Sequence, residues 1–170
     1  MILHYLKVEQ PSSFSEDIEA HTMQLGYNYE AGIEPIAFKF DAVPLENGCA
    51  LSCSFDYKAV LPCARCLESV HVSGSTVFSI ELRPRSAMKM PDKEVEIGEE
   101  DTDEIFLDED FFETRELVKQ QLLLLLPERV LCTEECMGIC PNCGANLNES
   151  QCACPRTADP RWAGLGKLQE

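Results

Sequence analysis

The chain has 170 residues, a formal net charge of −16 and 45% hydrophobic residues. This length suits one domain with an appendage, and the hydrophobic share is large enough for a sizeable core. The negative charge argues against nonspecific binding to nucleic acid or to an anionic membrane, and it favours basic partners.

Ten cysteines fit either a secreted disulfide framework or an intracellular metal protein. The first residues, Met1–Glu9, have no long apolar core and no cleavage site, so no signal peptide is expected. The longest apolar run, Leu122–Leu126, is far too short to span a membrane. We therefore predict a cytoplasmic metal protein.

Short strands are expected in residues 1–45, joined by loops. An edge strand is predicted at Met1–Val8, with a break at Pro11-Ser12-Ser13. Apolar and polar residues alternate over Ile33–Val43, which predicts a strand that is broken by Pro44. Nothing in these residues indicates a function.

A β-hairpin is predicted over residues 47–83, after a turn at Asn47-Gly48. Alternate residues of its first strand are apolar and predict the buried face: Cys49, Leu51, Cys53, Phe55 and Tyr57. The same period in the second strand predicts an inward face of Val70, Val72, Thr76, Phe78, Ile80 and Leu82.

The predicted hairpin has a Cys-x-x-Cys pair, Cys63 and Cys66, at its tip. A turn of this kind brings two sulfurs close enough to share an ion. A redox pair would need a helix N-terminus to lower the thiol pKa, and here strands flank the pair. Cys49 and Cys53 lie on the apolar face of a strand and are interpreted as small core residues.

An acidic connection follows over residues 84–110. It has eleven carboxylates and one lysine between Asp92 and Asp110. This composition predicts a solvated, mobile loop, and the alternative is a docking surface for a basic partner.

One long helix is predicted to begin at Asp108-Glu109-Asp110 and to end at Pro127. The run Leu122–Leu126 widens its apolar stripe, so this end is expected to be buried on nearly all sides. The stripe consists of Phe111, Leu117, Val118, Leu122 and Leu125. We expect the helix to pack across the sheet.

Six further cysteines lie between Cys132 and Cys154, in a segment too short for a core of its own. Tetrahedral Zn²⁺ takes four such thiolates. Local pairing costs the least loop entropy, which predicts one zinc and leaves a second as a further hypothesis. The predicted zinc has the ligands Cys140, Cys143, Cys152 and Cys154. The further zinc of the hypothesis would have the ligands Cys63, Cys66, Cys132 and Cys136. An interleaved split, with 63 and 66 joined to 140 and 143, stays open.

The predicted fold class is α+β, with a mainly antiparallel β-sheet domain, one long helix packed on it and a cysteine-rich zinc-binding C-terminal module. Residues 1–130 are expected to form the β-rich domain with its hairpin, acidic loop and helix. Residues 131–170 are expected to form the zinc module and a tail. A short final helix is predicted from Asp159, with Trp162 anchoring the tail.

These features together resemble the YceD-like family of large ribosomal RNA subunit accumulation proteins, over residues 45–170 or so. The matching residues are Cys63-Ala64-Arg65-Cys66-Leu67, the acidic connection, the Leu-rich helix ending at Pro127, Cys132-x3-Cys136-x-Gly138-x-Cys140-Pro141-x-Cys143-Gly144-x-Asn146-Leu147-Asn148, Cys152-x-Cys154 and Asp159-Pro160-Arg161. The resemblance implies a bacterial cytoplasmic or plastid protein that large-subunit ribosomal RNA needs in order to accumulate, with no established catalytic activity.

Two classes of function are therefore expected. The first is a non-enzymatic ribosome-biogenesis factor with structural zinc, bound to a ribosomal protein or a pre-ribosomal particle, with indirect RNA contact. The alternative is a thiol redox or metal-delivery protein. A nuclease or RNA-modifying enzyme ranks third, because the histidines are scattered and no phosphate loop or catalytic triad is present.

Overall fold

A computed structural model describes residues 1–23, 25, 32–88, 103–155 and 161. In this part of the chain there are seven strands and one α-helix. In chain order they are β1 (Ile2–Leu3), β2 (Ser12–Ile18), β3 (Ile36–Leu45), β4 (Gly48–Pro62), β5 (Ser69–Pro84), β6 (Glu104–Leu107), β7 (Phe112–Glu113) and α1 (Thr114–Leu125). The described part of the chain is therefore mostly β-sheet with one α-helix, as predicted, whereas the short final helix predicted from Asp159 falls on residues that, apart from residue 161, lie outside it.

The main sheet has five strands in the order β2-β3-β4-β5-β6. Strand β3 is antiparallel to both β2 and β4, whereas β5 and β6 run parallel. Strands β1 and β7 form a separate antiparallel pair. The parallel pair of β5 and β6 is an exception to the predicted antiparallel sheet.

Alternating residues build the core, as period-two patterning requires. On β4, the odd-numbered residues from Cys49 to Leu61 are buried, and the alternation predicted for β5 is also present. Phe14 stacks on Phe40 across the β2–β3 pair, with ring centroids 5.0 Å apart, and Phe55 meets Phe78 edge-on at 6.4 Å. The core thus crosses neighbouring strands on one face of the sheet.

Two of the predicted breaks in the N-terminal region are wrong. Strand β2 begins at Ser12, inside the break predicted at Pro11-Ser12-Ser13. Strand β3 continues through Pro44 to Leu45. The pairing of β3 with β2 ends at Ala42, so the missing N–H of Pro44 leaves no gap in that ladder. The predicted edge strand at the N-terminus is reduced to Ile2–Leu3.

The last residues of the acidic connection form a strand, which corrects the prediction of a mobile loop there. Glu104–Leu107 pairs in register with Glu81–Pro84. Arg83 contacts carboxylates of both strands, Glu81 at 2.6 Å and Glu104 at 2.7 Å. The Arg83 guanidinium offsets the repulsion between Glu81 and Glu104, which strand pairing places next to each other. Residues 89–102 of the connection lie outside the described residues.

Helix α1 begins at Thr114, later than predicted, because Phe112–Glu113 pairs with Ile2–Leu3 as a strand. It ends at Leu125, and Pro127 follows closely, as predicted. Its Leu-rich end is not buried on all sides, since Leu123 is 46% and Leu124 is 79% exposed. The Tyr57 hydroxyl of β4 donates to the Leu125 carbonyl at 3.1 Å.

Contacts divide the chain into two compact units. One contains Met1–Leu61 and His71–Glu128, and the other contains Pro62–Val70 and the residues from Arg129 onward. The second unit therefore includes the hairpin turn that the sequence pattern grouped with the β-rich part. No helix among the described residues has the length and apolar character needed to cross a bilayer.

Candidate metal centres

The first group of thiols, called here the first tetrad, consists of Cys63, Cys66, Cys132 and Cys136. Its four sulfurs all lie within 4.8 Å of one another. Sγ of Cys63 is 3.7 Å from Sγ of Cys136, and Sγ of Cys66 is 3.5 Å from Sγ of Cys132. Tetrahedral zinc with Zn–S bonds of about 2.3 Å needs sulfurs about 3.8 Å apart. The first tetrad fits this requirement.

A tight turn brings Cys63 and Cys66 together. The Leu67 N–H donates to the Cys63 carbonyl at 3.0 Å, and the Cys63 N–H donates to the Glu68 carbonyl at 2.8 Å. Leu67 closes the turn with a φ of 65°, in the left-handed region that glycine normally occupies. The turn therefore holds a strained, exposed leucine directly after a metal-ligand candidate.

Apolar side chains and backbone N–H groups surround the first tetrad. Cys63, Cys66 and Cys136 are buried, with Val70 and Leu131 packed against them, while Cys132 is the most accessible member. The Cys63 sulfur accepts from the backbone N–H of Arg65 at 3.5 Å and from that of Cys132 at 3.4 Å. These donors favour the thiolate form that a metal ligand requires.

The second tetrad consists of Cys140, Cys143, Cys152 and Cys154, whose sulfurs also lie within 4.8 Å of one another. Its turn repeats the geometry of the first. The Gly144 N–H donates to the Cys140 carbonyl at 2.8 Å, and Gly144 has a φ of 74°. Glycine adopts this conformation without the strain imposed on Leu67. Each tetrad is thus closed by a Cys-x-x-Cys turn of the same form.

The structure brings the eight thiols together as two separate sets of four, and not in the interleaved arrangement. Cys49 and Cys53 belong to neither tetrad and are buried on β4. Burial raises the pKa of both thiols, to about 12 for Cys53, where the Asp41 carboxylate adds to the effect. Both therefore stay protonated and behave as core residues.

Within the first tetrad the thiols differ in acidity. The Cys66 N–H, with those of Arg65 and Cys132, lowers the pKa of Cys63 to about 6 despite its burial. The Glu68 N–H lowers the pKa of Cys66, but burial and the neighbouring thiols outweigh it and raise that pKa to about 12. One thiol of the set is thus ionised at neutral pH and another holds its proton.

The second tetrad shows the same division. Backbone N–H groups of Cys143 and Asn142 lower the pKa of Cys140 to about 6. The neighbouring Cys143 thiol, together with burial, raises the pKa of Cys154 to about 12. Four thiolates at this spacing repel one another, and a divalent cation would remove that repulsion.

Metal binding should therefore release protons. At pH 9, Cys66 and Cys154 still hold theirs, because their pKa values are near 12. We expect zinc added to metal-free protein to release at least one proton per ion at pH 9, more at pH 7, and to bind more tightly as pH rises. Calorimetry in buffers of different ionisation enthalpy measures this number. The Cys53→Ser variant should release the same number, and an absence of proton release at pH 9 would rule out these ligands.

Two residues at these sites are not identified from the sequence by ligand spacing. Arg65 donates from Nη1 to the Cys136 carbonyl at 2.6 Å, and its own carbonyl accepts from the Ile139 N–H at 3.1 Å. Asn148 donates from Nδ2 to the Cys136 sulfur at 3.4 Å. The signal available for Asn148 was its place in Asn146-Leu147-Asn148, directly after the second Cys-x-x-Cys turn.

Comparison with known families gives one result. A family model described as "Large ribosomal RNA subunit accumulation protein YceD" matches residues 51–169, which include both tetrads. Neither the search of curated proteins nor the search of solved structures found a significant match.

Proposed function

Because the chain belongs to the YceD family of large ribosomal RNA subunit accumulation proteins, we propose that it is a non-enzymatic, cytoplasmic factor in the assembly of the large ribosomal subunit. It holds two structural zinc ions and acts by binding a ribosomal protein or a pre-ribosomal particle. The observation that carries this proposal is that the family match encloses all eight thiols of the two tetrads.

The ligand count supports a structural role for the metal. Four protein thiolates saturate tetrahedral zinc and leave no position for water or substrate, whereas catalytic zinc keeps one position open. Three thiols of the first tetrad are also buried, which restricts access by a reactant. Zinc in these sites would tie the hairpin turn to the segment after α1 and would supply folding free energy to the second unit.

The proposal is tested by removing the gene and measuring large-subunit ribosomal RNA relative to small-subunit RNA. Loss of the large-subunit RNA, restored by wild type but not by Cys66→Ser or Cys143→Ser, is expected. A pull-down from cell extract with and without ribonuclease then identifies the partner, and a partner retained after ribonuclease treatment supports protein-mediated binding. Unchanged RNA levels would contradict the proposal.

A thiol redox or metal-delivery protein is the second candidate. It is favoured by the low pKa, about 6, of Cys63 and Cys140. Native mass spectrometry separates the two candidates. Two tightly held zinc ions with slowly alkylated thiols support the structural role, and rapid alkylation or reversible disulfides support the alternative.

The acidic connection is proposed to steer a basic partner toward the protein. The structure narrows the residues available for this role. Glu104 is paired with Arg83, and Asp108 with Arg85 at 2.7 Å, so both carboxylates have internal partners. Asp103 and Glu109 carry no ion pair among the described residues, and Glu100 and Asp101 lie outside them.

Neutralising Glu100, Asp101, Asp103 and Glu109 together should slow association with a basic partner by about tenfold at low salt. The effect should shrink as ionic strength rises, because screening shortens the range of the field. Stopped-flow association rates at several salt concentrations measure it. Replacement of Glu9, Glu19, Glu46 and Glu128, which are exposed, makes the same change in net charge elsewhere and is the matched control.

Equal slowing by both sets of substitutions would show that net charge acts and that the connection has no special role. Tight binding of the purified protein to bare ribosomal RNA at physiological salt, with no protein partner, would contradict the proposal of a basic protein partner.

A further inference from the structure

The two tetrads are linked by hydrogen bonds within the second unit. The segment from Ile139 to Asn146 forms an isolated antiparallel bridge around the second Cys-x-x-Cys turn. The Leu147 N–H then donates to the Gly138 carbonyl at 2.8 Å. The chain between Cys143 and Cys152 therefore returns alongside the residues that follow Cys136.

Asn148 lies at the end of this return. Its Oδ1 accepts from the Met137 N–H at 2.7 Å, which leaves the Nδ2 side of the amide facing the Cys136 sulfur at 3.4 Å. Nδ2 also donates to Oδ1 of Asn146 at 2.9 Å, and the same oxygen accepts from the Asn148 N–H at 3.0 Å. These contacts leave one orientation for the Asn148 amide.

Resting on the proposed function, we infer that Asn148, which lies between the second-tetrad ligands Cys143 and Cys152, is a positioning residue in the outer shell of the first tetrad. Through Asn148, metal binding at the two sites becomes interdependent. The second ion fixes both ends of the segment 143–152, which carries Asn148. Once fixed, Asn148 supplies a hydrogen bond to the Cys136 thiolate. Outer-shell donors of this kind orient a ligand and stabilise its charge.

Gly138 allows the close contact between its own segment and the turn at Arg65 that this linkage requires. It has a φ of 78°, and a Cβ at this position would lie 3.0 Å from the Arg65 carbonyl oxygen. Glycine thus lets the segment after Cys136 contact the turn that carries Cys63 and Cys66. The carbonyl of Gly138 also accepts from the Leu147 N–H, so Gly138 lies against both the first turn and the returning segment.

The test uses full-length protein loaded with ¹¹³Cd²⁺, whose NMR signal reports each site separately, in competition with a chelator. Asn148→Asp keeps the size of the side chain and the acceptor for Met137 but replaces the donor with a carboxylate oxygen. We expect Asn148→Ala to lower first-site affinity by about 10-fold and Asn148→Asp by up to about 100-fold. The first-site chemical shift should also move.

Two controls separate this role from a general loss of structure. Asn47→Asp makes the same change of side chain at an exposed turn between β3 and β4, at a residue that belongs to neither tetrad. It should leave the first-site affinity and chemical shift unchanged. Unaltered second-site signals in the Asn148 variants show that the unit remains folded.

A double-mutant cycle tests the interdependence itself. Cys143→Ser should weaken the first site by about 10-fold or more, and adding Asn148→Ala to it should weaken the first site no further. Linkage requires the reciprocal effect, so first-site loading should tighten the second site by the same factor.

Wild-type affinity at the first site in both Asn148 variants would overturn the inference while leaving the zinc proposal standing, as would additive effects in the cycle. A wild-type protein that binds no Cd²⁺ would overturn both.

Discussion

Replacing Cys143 with serine should reduce the zinc content from two ions to one and should loosen the segment that carries the second tetrad. Structural zinc in small domains contributes about 10–16 kcal/mol of binding free energy, which is also folding free energy. Cys66→Ser should likewise lose one ion, from the other tetrad. Native mass spectrometry gives the stoichiometry, and proteolysis reports the loosening.

The control for both variants is Cys53→Ser. It removes a buried thiol that belongs to neither tetrad, so both ions should remain. An unpaired hydroxyl in that position should still lower stability by about 1–3 kcal/mol. Retention of two ions by Cys143→Ser would reject the assignment of the second tetrad.

Leu122→Ala should destabilise the protein by about 2–5 kcal/mol, since it leaves a cavity where the side chain is 0% exposed. This is a large fraction of the 5–15 kcal/mol that typically separates folded from unfolded domains. The matched control is Leu124→Ala in the same helix. Its side chain is 79% exposed, and the change should stay within about 0.5 kcal/mol.

Urea unfolding followed by circular dichroism measures both variants, and unchanged m values would show that stability alone has changed. An equal loss of stability in the two variants would contradict the described burial of α1.

Features encoded by local spacing are the ones that the sequence predicts well. The alternation from Cys49 to Tyr57 requires one buried face of a strand whatever lies elsewhere. Likewise, the spacing of Cys140 and Cys143 brings two sulfurs to one side of a turn. The grouping of Cys140, Cys143, Cys152 and Cys154 follows from the low entropy cost of short loops, whereas Cys63 and Cys66 meet Cys132 and Cys136 across a long loop.

Features that depend on distant pairing are not predictable in this way. The late start of α1 follows from the pairing of Phe112 with Leu3, which are far apart in the chain. Strand β6 forms inside an acidic run because Arg83 of β5 lies between Glu81 and Glu104. The sequence contains Arg83 and both carboxylates, but it does not show that strand pairing brings the three side chains together.

The same limit applies to the sites. Ligand spacing identifies the thiols, because zinc needs four of them close together. It does not identify Asn148, because a single asparagine in a turn-rich segment most often makes a local turn contact. Only the position of its Nδ2 beside the Cys136 sulfur separates that reading from an outer-shell role.

Cys66 and Cys132 are 66 residues apart in the chain, and an ion shared between them has a consequence for how the protein responds to its surroundings. Such a tie restricts the unfolded chain as a disulfide would, by about 4 kcal/mol for a loop of this length. Acid or a chelator releases it, whereas a disulfide needs a reductant. Above the dissociation constant, each tenfold rise in free zinc adds about 1.4 kcal/mol of stability per site. The amount of folded protein in a starved cell would then follow its metal supply.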